Sequence, residues 1–243
     1  MRRIALLALT VAAVALIPAS SAFAINSVQK FTASVSPAKA GTKAKPTGVT
    51  LKVRPYFDDI SADANAPFAT TFANVFFDKN LVFNGAKFPQ CANAKVLAAA
   101  NSCPSGSKVG KGVAAGVALG LTENLTVTIY NGPGGKAVEL LVDGSSPLAI
   151  HSVIEGKLTK QSGKFGYLLK VPVPADLQQP APGAIATLTN FDTTIKASIT
   201  KKGKKIPYIG LAGCTAKKLN FGYTGEYTDG TTGQQIVATQ ACK

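Results

Sequence analysis

The fold is decided by the stretch VAAGVALGLTENLTVTIYNGPGGKAVELLV at residues 113–142. It contains three runs of aliphatic and β-branched residues in which apolar and small or polar side chains tend to alternate, the period of a half-buried strand. The segment Asn131-Gly132-Pro133-Gly134-Gly135 is a turn signal before the third run. The stretch therefore predicts three consecutive strands, at residues 113–119, 125–130 and 137–142.

The same signals continue in both directions from this stretch. Strand patterns occupy residues 49–56, 70–77, 148–158, 167–173 and 184–200, and Asp229-Gly230 predicts a hairpin between two further strands. An Ala-rich segment at 91–100 predicts one short helix. Residues 106–112 are predicted to be a glycine-rich connector, and the proline-rich residues 172–183 an extended loop. Ten to twelve short strands with one short helix indicate an all-β fold, an antiparallel β-sandwich, Ig-like or larger.

The N-terminus has the three parts of an export signal. Arg2 and Arg3 precede an apolar run at residues 4–17, and the A-x-A pattern ends at Ala24, which predicts cleavage before Ile25. We expect a signal peptide at 1–24 and a single secreted β-sandwich domain at 25–243; two β subdomains meeting near residue 120 are the alternative. Because no later apolar run is long enough to span a bilayer, the sequence predicts a secreted or cell-envelope protein without a transmembrane segment.

The four cysteines, Cys91, Cys103, Cys214 and Cys242, all follow the signal. An even number of cysteines in an exported chain predicts disulfides, because the compartment is oxidising. The favoured pairing is Cys91–Cys103, around the short helix, and Cys214–Cys242, around the C-terminal hairpin. A zinc site is disfavoured because the cysteines are not in close pairs and the only histidine is far from them in sequence.

The composition excludes some classes of protein and suggests one partner. Hydrophobic residues at 46% and charged residues at 16% argue against disorder. The net charge of +14, or +12 once Arg2 and Arg3 leave with the signal, attracts polyanions. The densest basic segment is a turn predicted between Ile199 and Ile206, and we expect it to contact anionic envelope polymers, solubility being the alternative. Without interleaved aromatic residues, no nucleic-acid specificity is expected. The lysines of this turn are Lys201, Lys202, Lys204 and Lys205.

Catalytic chemistry has weak support in the sequence. His151 lies in a predicted strand, and the chain has no G-x-S-x-G elbow, so a half-exposed strand histidine is favoured over a triad base. A glycosidase pair among Asp143, Glu139 and Glu155 is disfavoured because the chain has no Trp to line a sugar cleft. We therefore predict a protein without enzymatic activity. The sequence neighbours that could complete a triad are Ser145, Ser146, Ser152, Asp143 and Glu155.

Metal and phosphate binding are equally weakly supported. Asp58, Asp59, Asp63 and Asn65 could surround a calcium ion, but their spacing does not fit a D-x-D-x-D-G loop, and a solvated turn is favoured. The glycine-rich residues 106–112 lack the G-K-[ST] of a phosphate loop. No metal or cofactor is predicted.

Three functions remain open on the sequence alone. The favoured one is a non-catalytic, secreted or envelope-associated β-sandwich that contacts anionic polymers through basic loops. The second is a carrier of a small apolar ligand between sheets, because alternating Val, Leu and Ile strands can line a cavity as well as fill a core. The remote third is a hydrolase that uses His151.

Two segments resemble a known group of proteins. The first runs from Phe88-Pro89-Gln90-Cys91 to Cys103-Pro104-Ser105-Gly106-Ser107-Lys108-Val109-Gly110-Lys111-Gly112. The second is the C-terminal hairpin with Tyr227-Thr228-Asp229-Gly230-Thr231. They resemble secreted actinobacterial proteins with an F-P-x-C…C-P-x-x-S-x-V-G-x-G segment and a Y-x-D-G-T hairpin, a group without an established activity. The resemblance implies export, a β-sandwich and motif residues with structural roles.

Overall fold

A computed structural model describes residues 29–57, 68–99 and 102–243. Two short helices are present, α1 (Asn93–Ala98) and α2 (Ala175–Gln178), and short 3-10 turns connect some of the strands. The strands are β1 (Gln29–Ser36), β2 (Thr47–Gly48), β3 (Thr50–Phe57), β4 (Thr70–Asp78), β5 (Leu81–Phe83), β6 (Lys108–Ala118), β7 (Leu121–Asn131), β8 (Ala137–Gly144), β9 (Ile150–Lys160), β10 (Phe165–Pro172), β11 (Thr187–Ile195), β12 (Ser198–Lys201), β13 (Lys204–Pro207), β14 (Ile209–Leu211), β15 (Lys218–Tyr227) and β16 (Ile236–Ala241).

Eleven of these strands form one sheet in the order β1-β3-β11-β6-β7-β8-β9-β10-β4-β15-β16. Every neighbouring pair is antiparallel. Residues 113–142 supply most of β6, all of β7 and most of β8, and these three strands lie at the middle of the sheet. The other strands form two small sheets, one with the order β2-β14-β5 and one that is the β12-β13 hairpin. The alternative boundary near residue 120 falls at the tip of the β6–β7 hairpin, within this continuous sheet.

The sheet curls until its two edge strands, β1 and β16, lie side by side. The strands do not form a backbone ladder here; the side-chain amide of Gln240 replaces it. Its Nε2 donates to the Val35 carbonyl at 2.9 Å, and its Oε1 accepts from the Val35 N–H at 2.7 Å. Past Gln240 the two segments of the chain pair directly through their backbones, because the Lys243 N–H donates to the Ala38 carbonyl. We call this junction the seam.

The inner face of the nearly closed sheet is apolar because strand side chains alternate between the two faces. Leu219, Phe221 and Tyr223 occupy every second position of β15 and are fully buried. Tyr223 stacks on Phe31 of β1 with ring centroids 5.7 Å apart, which joins the last strands to the first. Burial of such aromatic and aliphatic side chains supplies the main stabilisation of the fold.

A second, smaller core lies on the outer face of the sheet. There α1 covers Tyr130 and Leu141 of the sheet. Val96 of α1 and Cys91, just before α1, are buried against them. The disulfide Cys91–Cys103 closes the segment that carries α1, and Cys214–Cys242 fastens the end of the chain beyond β16.

Several sequence predictions are confirmed. The fold is all-β and antiparallel, both disulfides have the predicted pairing, and the hairpin around Asp229-Gly230 joins β15 to β16. Neither helix within residues 29–57, 68–99 and 102–243 has the length and apolar character to cross a membrane.

Two local predictions are wrong. The residues 106–112 are not only a connector, because β6 begins at Lys108 and contains Gly110 and Gly112. A Cβ at Gly112 would overlap the Asp192 carbonyl of β11 and lie 2.8 Å from the Thr193 Cγ2, so the glycine permits close strand packing. The proline-rich residues 172–183 are not wholly extended, because α2 forms one turn there and is a second short helix among the described residues.

The hydrogen bonds at the seam allow us to predict how much stability is lost when the Gln240 amide is removed. In Gln240→Ala, the Val35 N–H and carbonyl lose their partners in a part-buried place, and the free energy of unfolding should fall by about 2 kcal/mol. Urea unfolding followed by circular dichroism measures this. The matched control is Gln235→Ala, an exposed glutamine that precedes the same strand, which should change stability by less than about 0.5 kcal/mol. Equal stabilities of the two variants would contradict the role assigned to Gln240.

Candidate functional site

The inside of the nearly closed sheet contains a cavity of about 310 Å³. Nine of the eleven strands of the large sheet, all except the edge strands β1 and β16, contribute side chains to its wall. The wall follows the strand period: β8 contributes Val138, Leu140 and Val142, while the residues between them face outward. The cavity is therefore a direct product of the alternating pattern.

The β6 wall of the cavity consists mainly of small residues, with Val117 as its one larger side chain. Ala114, Gly116 and Ala118 occupy its inward positions, where larger side chains would fill the interior. The neighbouring Ala115 does not line the cavity. Small side chains on one wall and Val, Leu, Ile and Phe on the others leave internal space that a uniformly packed core would not have.

The cavity reaches the surface at one end of the sheet. Its lining includes Leu119 and Leu121 at the tip of the β6–β7 hairpin, which are 74% and 57% exposed. Pro147 and Leu148 of the β8–β9 loop lie at the same end, as does Leu177 of α2. We call this end the mouth. Leu119 and Leu121 thus expose apolar side chains at the rim of the cavity.

Of the described residues that line this space, three are polar, Thr70, Glu123 and Thr193, and the others are apolar or small. Glu123 lies in β7 near the mouth and is only 8% exposed. Its Oε2 accepts a hydrogen bond from the Leu148 N–H at 2.9 Å, while its Oε1 accepts none from the described residues. A Cβ on Gly144 would lie 2.6 Å from this Oε1, so the glycine makes room for the carboxylate.

His151 is half exposed on the outer face, as the sequence predicts, and it joins α1 to the sheet. Its Nδ1 lies 2.5 Å from the Asp143 Oδ1, and its Nε2 lies 2.9 Å from the Leu97 carbonyl. Because both ring nitrogens face acceptors, the imidazolium form is favoured, and the Leu97 carbonyl and Asp143 raise the pKa of His151. In a catalytic triad Nε2 faces a nucleophile; here it faces a backbone carbonyl.

Glu139 is a buried carboxylate beneath α1, outside the cavity. It is fully buried; its Oε2 accepts from the Asn93 Nδ2 at 3.3 Å, and its Oε1 accepts no hydrogen bond from the described part of the chain. Glu155 is its cross-strand neighbour on β9. Burial, and then the charge of Glu155, raise the pKa of Glu139 from 4.5 to about 7. These two residues are cross-strand neighbours, but Glu139 is covered rather than open to a substrate.

The four lysines singled out from the sequence lie on the β12–β13 hairpin. Lys202 and Gly203 have φ values of 51° and 73° and form its tip, a conformation typical of tight hairpin turns. Ile199 and Ile206 are paired below it, so the predicted turn has the predicted flanks. Lys201, Lys202, Lys204 and Lys205 are all exposed, and they concentrate positive charge at one projecting point.

The remaining predicted sites either lie outside the described residues or are cysteines paired in disulfides. Asp58, Asp59, Asp63 and Asn65 lie outside the described residues, as does the cleavage site Ala24–Ile25. In the part of the chain that is described, no group of three or more His, Cys, Asp or Glu side chains is placed to hold a metal ion. All four cysteines are paired in the two disulfides.

No family model, curated protein or solved structure matches this chain. The cavity and its carboxylate are therefore interpreted from their own geometry.

The pKa of Glu139 predicts how stability changes with pH. Between pH 4.5 and about 7 the folded state binds the Glu139 proton more tightly than the unfolded state, so the free energy of unfolding falls as pH rises through this range. In Glu139→Gln this loss is absent, and at pH 8 the variant should be more stable than the parent by about 2 kcal/mol. Urea unfolding at pH 5, 6, 7 and 8 measures it.

His151 loses its proton in an overlapping range and lowers stability in the same direction, because its folded pKa is also raised. His151 is present in both proteins, so the difference between parent and variant at each pH isolates Glu139. A difference that does not change between pH 5 and pH 8 would contradict the assignment.

Proposed function

We propose that this protein is a non-catalytic, exported binder of a small apolar molecule, which it holds inside the nearly closed sheet. The observation that carries the proposal is the apolar cavity of about 310 Å³ with a mouth at the β6–β7 hairpin. Of the functions left open by the sequence, this is the carrier of an apolar ligand.

The size and chemistry of the cavity support this function. Binding sites for small molecules are typically concavities of about 300–1,000 Å³ with mainly apolar walls and a few polar groups. The cavity lies at the lower end of that range, and only three of the described residues in its wall are polar. Such a wall offers water few hydrogen-bonding partners, and an apolar ligand replaces that poor hydration with dispersion contacts.

The remaining features fit an exported binding protein. Two disulfides hold α1 and the C-terminus, and disulfides persist in oxidising compartments. His151, the residue on which a hydrolase would depend, is engaged by Asp143 and the Leu97 carbonyl on the outer face. Its role there is to hold α1 against the sheet.

A second candidate function, contact with anionic envelope polymers, is favoured by the β12–β13 hairpin. Its four exposed lysines surround one tight turn, whereas the other lysines are spread over several loops and strands. A charge cluster at a projecting tip can approach an extended polyanion without steric hindrance, and its attraction is reduced by salt. This contact would keep an apolar-ligand carrier near the envelope, so the two functions are compatible.

Filling the cavity tests the first function. Ala114→Phe places a large side chain in the binding space, and it should weaken binding of the neutral apolar probe diphenylhexatriene by at least about tenfold. Ala115→Phe, one residue away on the same strand but outside the cavity, should retain the parent affinity. Ala118→Phe, nearer the mouth and less buried, gives a second filling variant if Ala114→Phe folds poorly. Probe fluorescence measures affinity; parent-like binding by both folded filling variants, or no binding by the parent, would overturn the proposal.

Removing the hairpin charge tests the second function. Changing Lys201, Lys202, Lys204 and Lys205 to Gln should reduce sedimentation with isolated cell envelopes at low salt by at least about tenfold. The control changes Lys157, Lys160, Lys217 and Lys218 to Gln, which removes the same charge from dispersed exposed positions. Equal losses in the two variants would show that only net charge matters, and that result contradicts a contact at the hairpin.

A further inference from the structure

Among the described residues, Glu123 is the one charged side chain in the wall of the cavity. The strand period explains its direction: it lies at an odd-numbered position of β7, with Leu121, Leu125 and Ile129, which line the same space. It is more than nine-tenths buried. A carboxylate is therefore built into the binding space itself.

The two oxygens of this carboxylate have different surroundings. Oε2 accepts the Leu148 N–H of the β8–β9 loop, which fixes the side chain, while Oε1 accepts nothing from the described residues. Leaving a buried acceptor of this kind without a partner costs free energy. Oε1 is itself covered, so a donor on a bound molecule reaches it only when the Glu123 side chain turns towards the cavity. Such a donor removes the cost of the unpartnered oxygen, and Oε1 is therefore the position from which Glu123 would recognise a polar group.

Resting on the proposed function, we propose that the ligand is an amphiphile with an apolar body and one protonated amine, and that Glu123 binds the amine. A primary ammonium group has three donors and carries the charge opposite to the carboxylate. A hydroxyl satisfies Oε1 without the charge, whereas a carboxylate ligand brings like charge against it. The affinity order is therefore amine, then alcohol, then acid.

The position of Glu123 along β7 gives the direction of binding. Leu121 lies at the mouth, two residues before Glu123, or about 7 Å along the strand. Leu125 and Ile129 follow towards the interior, and Ile129 is fully buried. The ammonium group therefore lies near the mouth, just inside the apolar hairpin tip, and the apolar body extends inward.

The net positive charge of the protein opposes the preference for an amine. At +14 for the whole chain, the surface field favours anions over cations. Non-specific attraction therefore ranks decanoate above decylamine, the reverse of the order that Glu123 imposes. A preference for the amine identifies a local contact and not the field of the whole molecule.

The test is calorimetric titration of the purified protein with monomeric decylamine, decanol and decanoate at pH 7.5. The parent should bind decylamine about tenfold more tightly than decanol, and decanoate most weakly. Glu123→Gln should weaken decylamine binding about tenfold and leave decanol within about twofold. Glu139→Gln is the matched control, because it neutralises the other carboxylate with an unpartnered oxygen, outside the cavity, and it should retain the parent order.

The outcomes separate this inference from the proposed function. If the three compounds bind equally, or Glu123→Gln keeps the amine preference, while Ala114→Phe still abolishes binding, the role of Glu123 is overturned and the apolar carrier stands. If the parent binds none of the three compounds or diphenylhexatriene, both are overturned. Near-ultraviolet circular dichroism confirms that each variant keeps the parent packing.

Discussion

The structure depends on the seam where Gln240 bridges to the backbone of Val35. An antiparallel sheet of eleven strands has two long edges with unpaired backbone groups, which invite association with other chains. Bringing the edges together protects both at once. One side-chain amide supplies the donor and the acceptor that a backbone ladder would provide, and the stacked rings of Phe31 and Tyr223 join the same strands from within.

The cavity follows from that closure together with an uneven distribution of side-chain volume. A curled sheet encloses space, and protein interiors normally fill such space to crystal-like density. Here the small inward residues of β6 face larger aliphatic side chains on the other walls, and the space stays open towards the mouth. The same alternation therefore produces both the stabilising core and the candidate binding site. The outer face is used differently, since α1, the disulfide Cys91–Cys103 and His151 form a rigid cover over part of it.

The local elements were predictable from the sequence because their causes are local. Period-2 alternation predicts the middle strands, Asp229-Gly230 the final hairpin, and the cysteine spacing both disulfides. The glycines at 110 and 112 were misinterpreted because the strand β11 that requires them lies about 80 residues away along the chain. The cavity could not be predicted, since its volume depends on which strands face each other. Glu123 was not singled out because the predicted strand begins at Leu125, whereas β7 begins at Leu121 and places Glu123 at an inward position.

The seam also determines when the interior of the sheet can form. Val35 and Gln240 are separated by 205 positions in the chain, so their contact requires nearly the whole polypeptide and is among the costliest in loop-closure entropy. Synthesis from the N-terminus produces β1 first and β16 last. Until the final residues emerge, the sheet has two open edges and encloses no separate interior. The interior space in which we propose that the ligand binds therefore forms only after β16 has been made.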